Sequence, residues 1–155
     1  MRNIEEAIKL IEQNIDESDF VGEISEKEIK GAEERLNVKF PISYKTFLQR
    51  YGTGDIFGEE IYGLGVENTG IPSVIWITEN LRKENNLPKN YLVIYATGYD
   101  FEYYCLDCSM IDRNEIEAPI ASFTAGVPIE KQNFEIISSS FGAFLLETLK
   151  DAIDG

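Results

Sequence analysis

The chain has 155 residues, a length that fits one domain spanning residues 1–155, and its 43% hydrophobic and 27% charged side chains exclude disorder as the main state. Its 14 Lys and Arg stand against 28 Asp and Glu for a formal net charge of −14, a field that repels nucleic acid and anionic lipid and steers cationic partners inward. No stretch approaches the roughly 20 apolar residues a membrane helix needs, and the N-terminus lacks the basic start and apolar run of a signal peptide. The expectation is a cytoplasmic protein with no membrane or nucleic-acid partner.

The first predicted element is a helix running to about Asp16, with Ile4, Ala7, Ile8, Ile11 and Ile15 on one face. Residues 20–24 read as a connector. Ser25 and Glu28 form a capping-box pattern, in which the serine hydroxyl accepts from a backbone N–H of the first turn. Ile29, Ala32 and Leu36 line the second helix, and Asn37 ends it because Asn tolerates the left-handed conformation. Pro41 suits the first position of a third helix. Tyr44, Phe47, Leu48 and Tyr51 give that helix a wide aromatic stripe for burial, and Gly52 and Gly54 end it.

After Gly54 the texture changes. Residues 59–66 read as a strand weakened by glycines. Residues 71–88 carry both a β-branched cluster and the helical spacing Val74, Ile77, Thr78, Leu81, and the spacing favours a helix. Residues 91–97 are apolar on both faces, as a central strand should be. Residues 98–100 signal a turn and residues 101–106 its hairpin partner. Residues 115–123 are a further strand, with Pro119 restricting it to an edge or a bulge. Phe141, Phe144, Leu145, Thr148, Leu149 and Ala152 describe a closing amphipathic helix, with serines at 138–140 offering caps. Helices, then strands, then a helix is an α+β order.

Three stretches could carry chemistry. Cys105 and Cys108 form a C-x-x-C pair, but they end a strand beside Asp107 and Asp112, where negative neighbours oppose a thiolate. A structural zinc needs four ligands, and the chain offers two cysteines and no histidine, so packing cysteines are favoured over a shared metal site or a redox centre. The glycine-rich residues 51–65 lack a P-loop lysine and carry Asp55, Glu59 and Glu60, which would repel phosphate. Glu59 and Glu60 are adjacent, so on a strand they point to opposite faces and make a poor catalytic pair.

The third stretch, residues 99–117, holds six acids (Asp100, Glu102, Asp107, Asp112, Glu115, Glu117) and one base, Arg113, with Tyr99, Phe101, Tyr103 and Tyr104 among them. Aromatics supply anchors and acids supply steering for a basic protein. The plainer alternative is one aromatic face in the core and one solvated acidic face. Residues 1–58 hold 8 basic and 12 acidic side chains while residues 59–155 hold 6 and 16, so the acid excess sits in the second half. With no histidine, the usual general base near neutral pH is missing, and no enzyme activity, cofactor or metal is expected.

The stretch "ISEKEIKGAEERLNVKFPISYKTFLQRYGTGDI" resembles the N-terminal motif of the SUKH superfamily, which includes the yeast cell-wall-assembly regulator and many bacterial immunity proteins. The pattern there is Leu-Pro-x-x-Tyr-x-x-Phe-Leu followed by Asn-Gly-Gly or similar. Phe40 stands in for the usual Leu, while Pro41, Tyr44, Phe47, Leu48 and Gly52 match in place. Tyr51 replaces the common Asn, so any role of that Asn does not carry over. Residues 61–64 and 140–149 are similar to the family's next strand and closing helix.

The resemblance implies an α+β fold, a twisted and mostly antiparallel sheet with helices packed around it. It also implies a non-enzymatic immunity protein that binds and neutralises the toxin domain of a polymorphic toxin, often a nuclease, inside the producing cell. It does not fix the contact residues. Acidity and aromatics nominate Asp55, Glu59, Glu60, Tyr99, Asp100, Glu102, Tyr104 and Asp107 for a basic toxin partner, with the chain as a monomer or homodimer. The alternative is a regulatory scaffold that binds a cellular protein.

Overall fold

Helix α1 (Arg2–Gln13) buries Ile4, Ala7 and Ile11 against the closing helix; the computed structural model describes residues 2–155. The helix ends before Asp16. The Asn14 side-chain amide donates to the Leu10 carbonyl at 2.8 Å, which competes with the helical ladder. Residues Ile15–Glu17 tighten into a 3-10 turn, and Ile15, expected on the apolar face, is 48% exposed. The supposed connector then begins inside a short strand, β1 (Ser18–Phe20).

Helix α2 (Glu26–Leu36) starts as its capping pattern predicts, with the Ser25 hydroxyl oxygen accepting from the Glu28 N–H at 3.2 Å. Asn37 ends it at φ 55. Helix α3 (Ile42–Tyr51) begins one residue after Pro41 and buries Tyr44, Phe47, Leu48 and Tyr51. The Phe47 ring sits 5.9 Å from both Phe20 and Phe141, and Tyr44 sits 5.2 Å from Phe141, so one aromatic cluster joins α3 to β1 and to the C-terminal helix.

Two features explain why the motif around α3 has the residues it has. The buried Tyr44 hydroxyl donates to the Tyr62 carbonyl at 2.6 Å, and the Tyr62 N–H donates in turn to the Ile94 carbonyl at 2.9 Å. Gly52, at φ 71, accepts through its carbonyl from the Leu64 N–H at 3.0 Å. A Cβ on Gly63 would overlap the Gly52 carbonyl oxygen, so the two backbones cross where no side chain fits.

Strands β2 (Gly54–Ile56) and β3 (Glu59–Ile61) form a hairpin, and β1 pairs with β2, giving an antiparallel sheet in the order β1-β2-β3. Gly54 therefore opens a strand as well as following a helix. The strand expected over 59–66 stops at Ile61, because the Tyr62 N–H turns to Ile94 and the Gly63 N–H to Pro72. Helix α4 (Val74–Asn85) follows, capped by Ser73, whose hydroxyl oxygen accepts from Trp76 N–H at 3.0 Å. Helical spacing outweighs the β-branched residues here, since Val74, Ile77, Thr78 and Leu81 all bury on one face.

Strands β4 (Tyr91–Ala96), β5 (Glu102–Asp107), β6 (Ile120–Thr124) and β7 (Ile136–Ser138) form a second antiparallel sheet in chain order. Pro119 precedes β6 instead of interrupting it, and β6 is an inner strand because β7 covers its far side. The outer side of β4 takes the Tyr62 N–H and gives the Val93 N–H to the Thr78 hydroxyl at 3.1 Å. The mostly antiparallel sheet expected from the sequence is built as two sheets that meet along β4. Helix α5 (Phe141–Asp154) closes the α+β fold, capped by Ser140 accepting from Ala143 N–H at 3.0 Å.

Candidate binding surface

The charged residues on the seven strands are Asp19, Asp55, Glu59, Glu60, Glu102 and Asp107, and all are acids. Every one of the 14 Lys and Arg lies on a helix or in a loop. The ion pairs among the described residues, Arg2–Glu6, Arg35–Glu79, Lys39–Glu115 and Lys45–Glu33, leave those six acids aside.

Strand register aligns three of the six. Asp19 lies directly opposite Asp55, and Asp55 directly opposite Glu60. Directly opposed residues share a face, so the three carboxylates form a row across the smaller sheet. Asp19 is exposed, and Asp55 and Glu60 are half-buried. Burial pushes the Glu60 carboxyl above its ordinary range, and the Asp55 charge pushes it further. The opposite face, with Ile56 and Ile61, belongs to the core.

Glu59 alternates onto that inner face, as the sequence predicts for neighbours on a strand. It accepts from the Tyr95 hydroxyl at 2.5 Å, and burial together with this bond holds the phenol proton firmly. Tyr95 stacks on Tyr104 at 5.6 Å, and both meet the Phe144 ring of α5 edge-on at 5.3 and 5.8 Å. Burial, with help from Glu60 and Tyr103, pushes the Tyr62 phenol up to about 12. The structure therefore brings Asp55, Glu59, Glu60 and Tyr104 to the junction of the two sheets.

Tyr99 and Asp100 project from the β4–β5 turn, where Tyr99 is 76% exposed. Glu102, at the start of β5, accepts from the Ser122 hydroxyl at 2.5 Å. Asp107 lies apart from the others, at the far end of β5, about 17 Å along the strand from Glu102 at roughly 3.4 Å per residue. It is only 8% exposed and accepts from the Asn90 amide at 2.6 Å and from the Ser109 hydroxyl and N–H at 2.6 and 3.1 Å. Those bonds fix the local turn.

Three residues of this region are hard to place from the sequence: Asp19 sits in a strand too short to show alternation, Tyr95 falls in a run apolar on both faces, and Phe101 counts among the aromatics of residues 99–117 but as the start of a strand. A run without bases points to the last two: no Lys or Arg occurs between Lys89 and Arg113.

The other candidate chemistry gains no support. Both cysteines are buried; burial pushes the Cys105 thiol up, and burial plus Asp107 pushes Cys108 up to about 12. Thiols held that way are poor nucleophiles at neutral pH. Glu117 is also raised by burial, but it is spent on packing: it accepts from the Ser43 hydroxyl at 2.5 Å and the Phe141 N–H at 3.1 Å, which pins the start of α5.

Among the described residues, two antiparallel sheets packed with five helices, with acids on the strands and a tyrosine-anchored crossing after α3, define an α+β protein of a recognisable kind. The family model SUKH_5, described as SMI1-KNR4 cell-wall, matches residues 4–150. The chain belongs to that family. Among the described residues no helix is long and apolar enough to cross a membrane.

Proposed function

We propose that this chain is a non-enzymatic immunity protein that binds the cationic toxin domain of a polymorphic toxin, a nuclease, in the cytoplasm of the cell that makes both. The observation that carries the reading is the charge segregation: among the described residues of this SUKH-family protein, the seven strands carry six acids and no Lys or Arg. A nuclease needs a cationic groove for phosphates, and an acidic surface that covers such a groove associates fast and in a salt-sensitive way.

The contact surface in this reading is centred on Asp55, Glu60, Tyr99 and Asp100, whose side chains are exposed or half-buried. Glu59, Glu102 and Tyr104 hold its floor through their bonds and stacking. Asp107 shapes the end of β5 instead.

The test is calorimetric titration of the protein with the toxic domain encoded beside its gene, at low and high salt. Tight binding that weakens with salt supports the reading. Lysine in place of Asp55, Glu60 and Asp100 slows association; unchanged rates at low salt would sink this map. No binding, or no toxin gene nearby, would turn the reading to a regulatory scaffold for a cellular protein.

A further inference from the structure

The β4–β5 turn is closed by the Glu102 N–H donating to the Tyr99 carbonyl at 2.9 Å, with Asp100 at φ 49 and Phe101 at φ 59 in the central positions. This is a left-handed pair of the type I′ kind inside the loop of residues 98–101, since Thr97 is the residue that bonds across to Glu102, and Gly and Asn fill such positions readily. A bulky residue in that region is a true outlier, because its Cβ crowds the backbone.

Folding gives no reason for the Phe101 ring. The side chain is 75% exposed, and it makes no ring contact with another aromatic among the described residues. What the fold uses is the Phe101 carbonyl, which accepts from the Ala125 N–H at 3.0 Å, and glycine would keep that bond. Phe57 and Phe134 share this left-handed backbone, at φ 53 and 48, but both pack against the core, which offsets the strain there; Phe101 has no such packing, and strain without packing points to function. Tyr99 stands beside it, equally exposed, so two aromatic rings cap the end of the longest stretch of the second sheet.

We propose that Phe101, with Tyr99, is the anchor that inserts into an apolar pocket ringed by Lys and Arg on the partner protein. Exposed aromatics that bury at the centre of an interface are the usual hot spots. The local charge selects the partner's chemistry: Asp100 lies in the same turn, Glu102 follows it, and the chain from Lys89 to Arg113 carries no base between its ends, while Lys131 and Glu135 both line the cavity beside Glu102 and offset each other. A second copy of this chain would bring like charges together at the same tip, so the occupant is a cationic protein. The anchor rests on the partner-binding reading above and adds to it a ring that works by burial, with the acids supplying steering.

The test uses Phe101→Gly and Phe101→Asn in the full chain. Thermal unfolding and titration against the adjacent-gene toxic domain are measured for each. Both variants are expected to melt above the wild type and to bind at least about tenfold more weakly, with an unchanged salt slope. Variants that melt at or below the wild type overturn the strain argument and the proposal with it. Wild type that binds while both variants bind equally well overturns the anchor and leaves the immunity reading standing. Wild type that fails to bind removes both. A wild-type dimer in sedimentation that Phe101→Gly dissociates assigns the tip to self-association and overturns the cationic partner.

Discussion

Asp55 is the middle carboxylate of the row, with Asp19 opposite it on one strand and Glu60 opposite it on the other. Asp55→Asn keeps the shape of the side chain and removes its charge. Opposed side chains on an antiparallel pair lie about 4.5–5.5 Å apart at Cβ, and a like-charged pair there costs about 0.2–1 kcal/mol. Two such pairs meet at Asp55, and solvent screening of half-exposed groups favours the lower end of the sum, about 0.5–1 kcal/mol. For a chain of 155 residues that is about 1–4 °C in Tm. The Debye length is about 10 Å at 0.1 M salt and 3 Å at 1 M, so the gain should survive moderate salt and vanish at 1 M. Its pH dependence has a definite sign. Folding raises the Glu60 carboxyl, so the folded chain loses stability as pH climbs from the ordinary carboxylate range through the raised value. The advantage of Asp55→Asn is therefore full at neutral pH and fades on acidification below that range. Thermal unfolding followed by circular dichroism, at low and high salt, measures it. A variant that melts at or below the wild type at low salt and pH 7 would show that the row is held by attraction, and the repulsion argument would be wrong.

Other perturbations separate the scaffold from the surface. Gly31→Ala, on the exposed side of α2, adds a Cβ that meets nothing within 4 Å, and should raise stability in urea by about 0.5–1 kcal/mol through helix propensity alone. Tyr44→Phe strips the hydroxyl from the buried Tyr62 carbonyl and should cost about 1–3 kcal/mol in the same assay. Cys105 and Cys108, buried with raised thiol values, should resist a disulfide-exchange reagent at pH 7 in native protein and react once it is unfolded; fast reaction of the native protein would show an opening of the β5 end.

The helices could be read from the sequence because each repeats its apolar spacing over three turns or so, as Ile29, Ala32 and Leu36 do in α2. The strands β1, β2 and β7 do not show themselves in the same way, and β3 shows itself only as the start of a longer strand over residues 59–66. Each is three residues long, and a period of two cannot establish itself in "SDF" or "IIS" without knowledge of the partner strand. The same limit hid the carboxylate row, since Asp19, Asp55 and Glu60 become neighbours only through register. Asp107 shows the converse. By composition it looks like Glu102, yet one end of β5 is solvated and the other is tied to Asn90 and Ser109. Gly98 drew the turn towards residues 98–100, whereas the left-handed central pair is Asp100 and Phe101.

The residues that carry the family likeness and those that carry the candidate surface are different sets joined by a short chain of bonds. The Tyr44 hydroxyl holds Tyr62, the Tyr62 N–H holds Ile94, and the next residue, Tyr95, holds Glu59 through its hydroxyl. The first set is buried and uncharged, so changing it removes packing and leaves polar groups unpaired, at several times the cost of a surface change. The second set is exposed or half-buried and should lose little stability on substitution; at Asp55 neutralisation should even gain some. A scaffold built this way allows the acids on its strands and the aromatics of the β4–β5 turn to be exchanged while the α3 crossing stays fixed. Binding specificity should accordingly follow the side chains at positions 19, 55, 60, 99 and 101. Grafting those five onto another protein of the same fold should transfer partner preference without transferring any of the core.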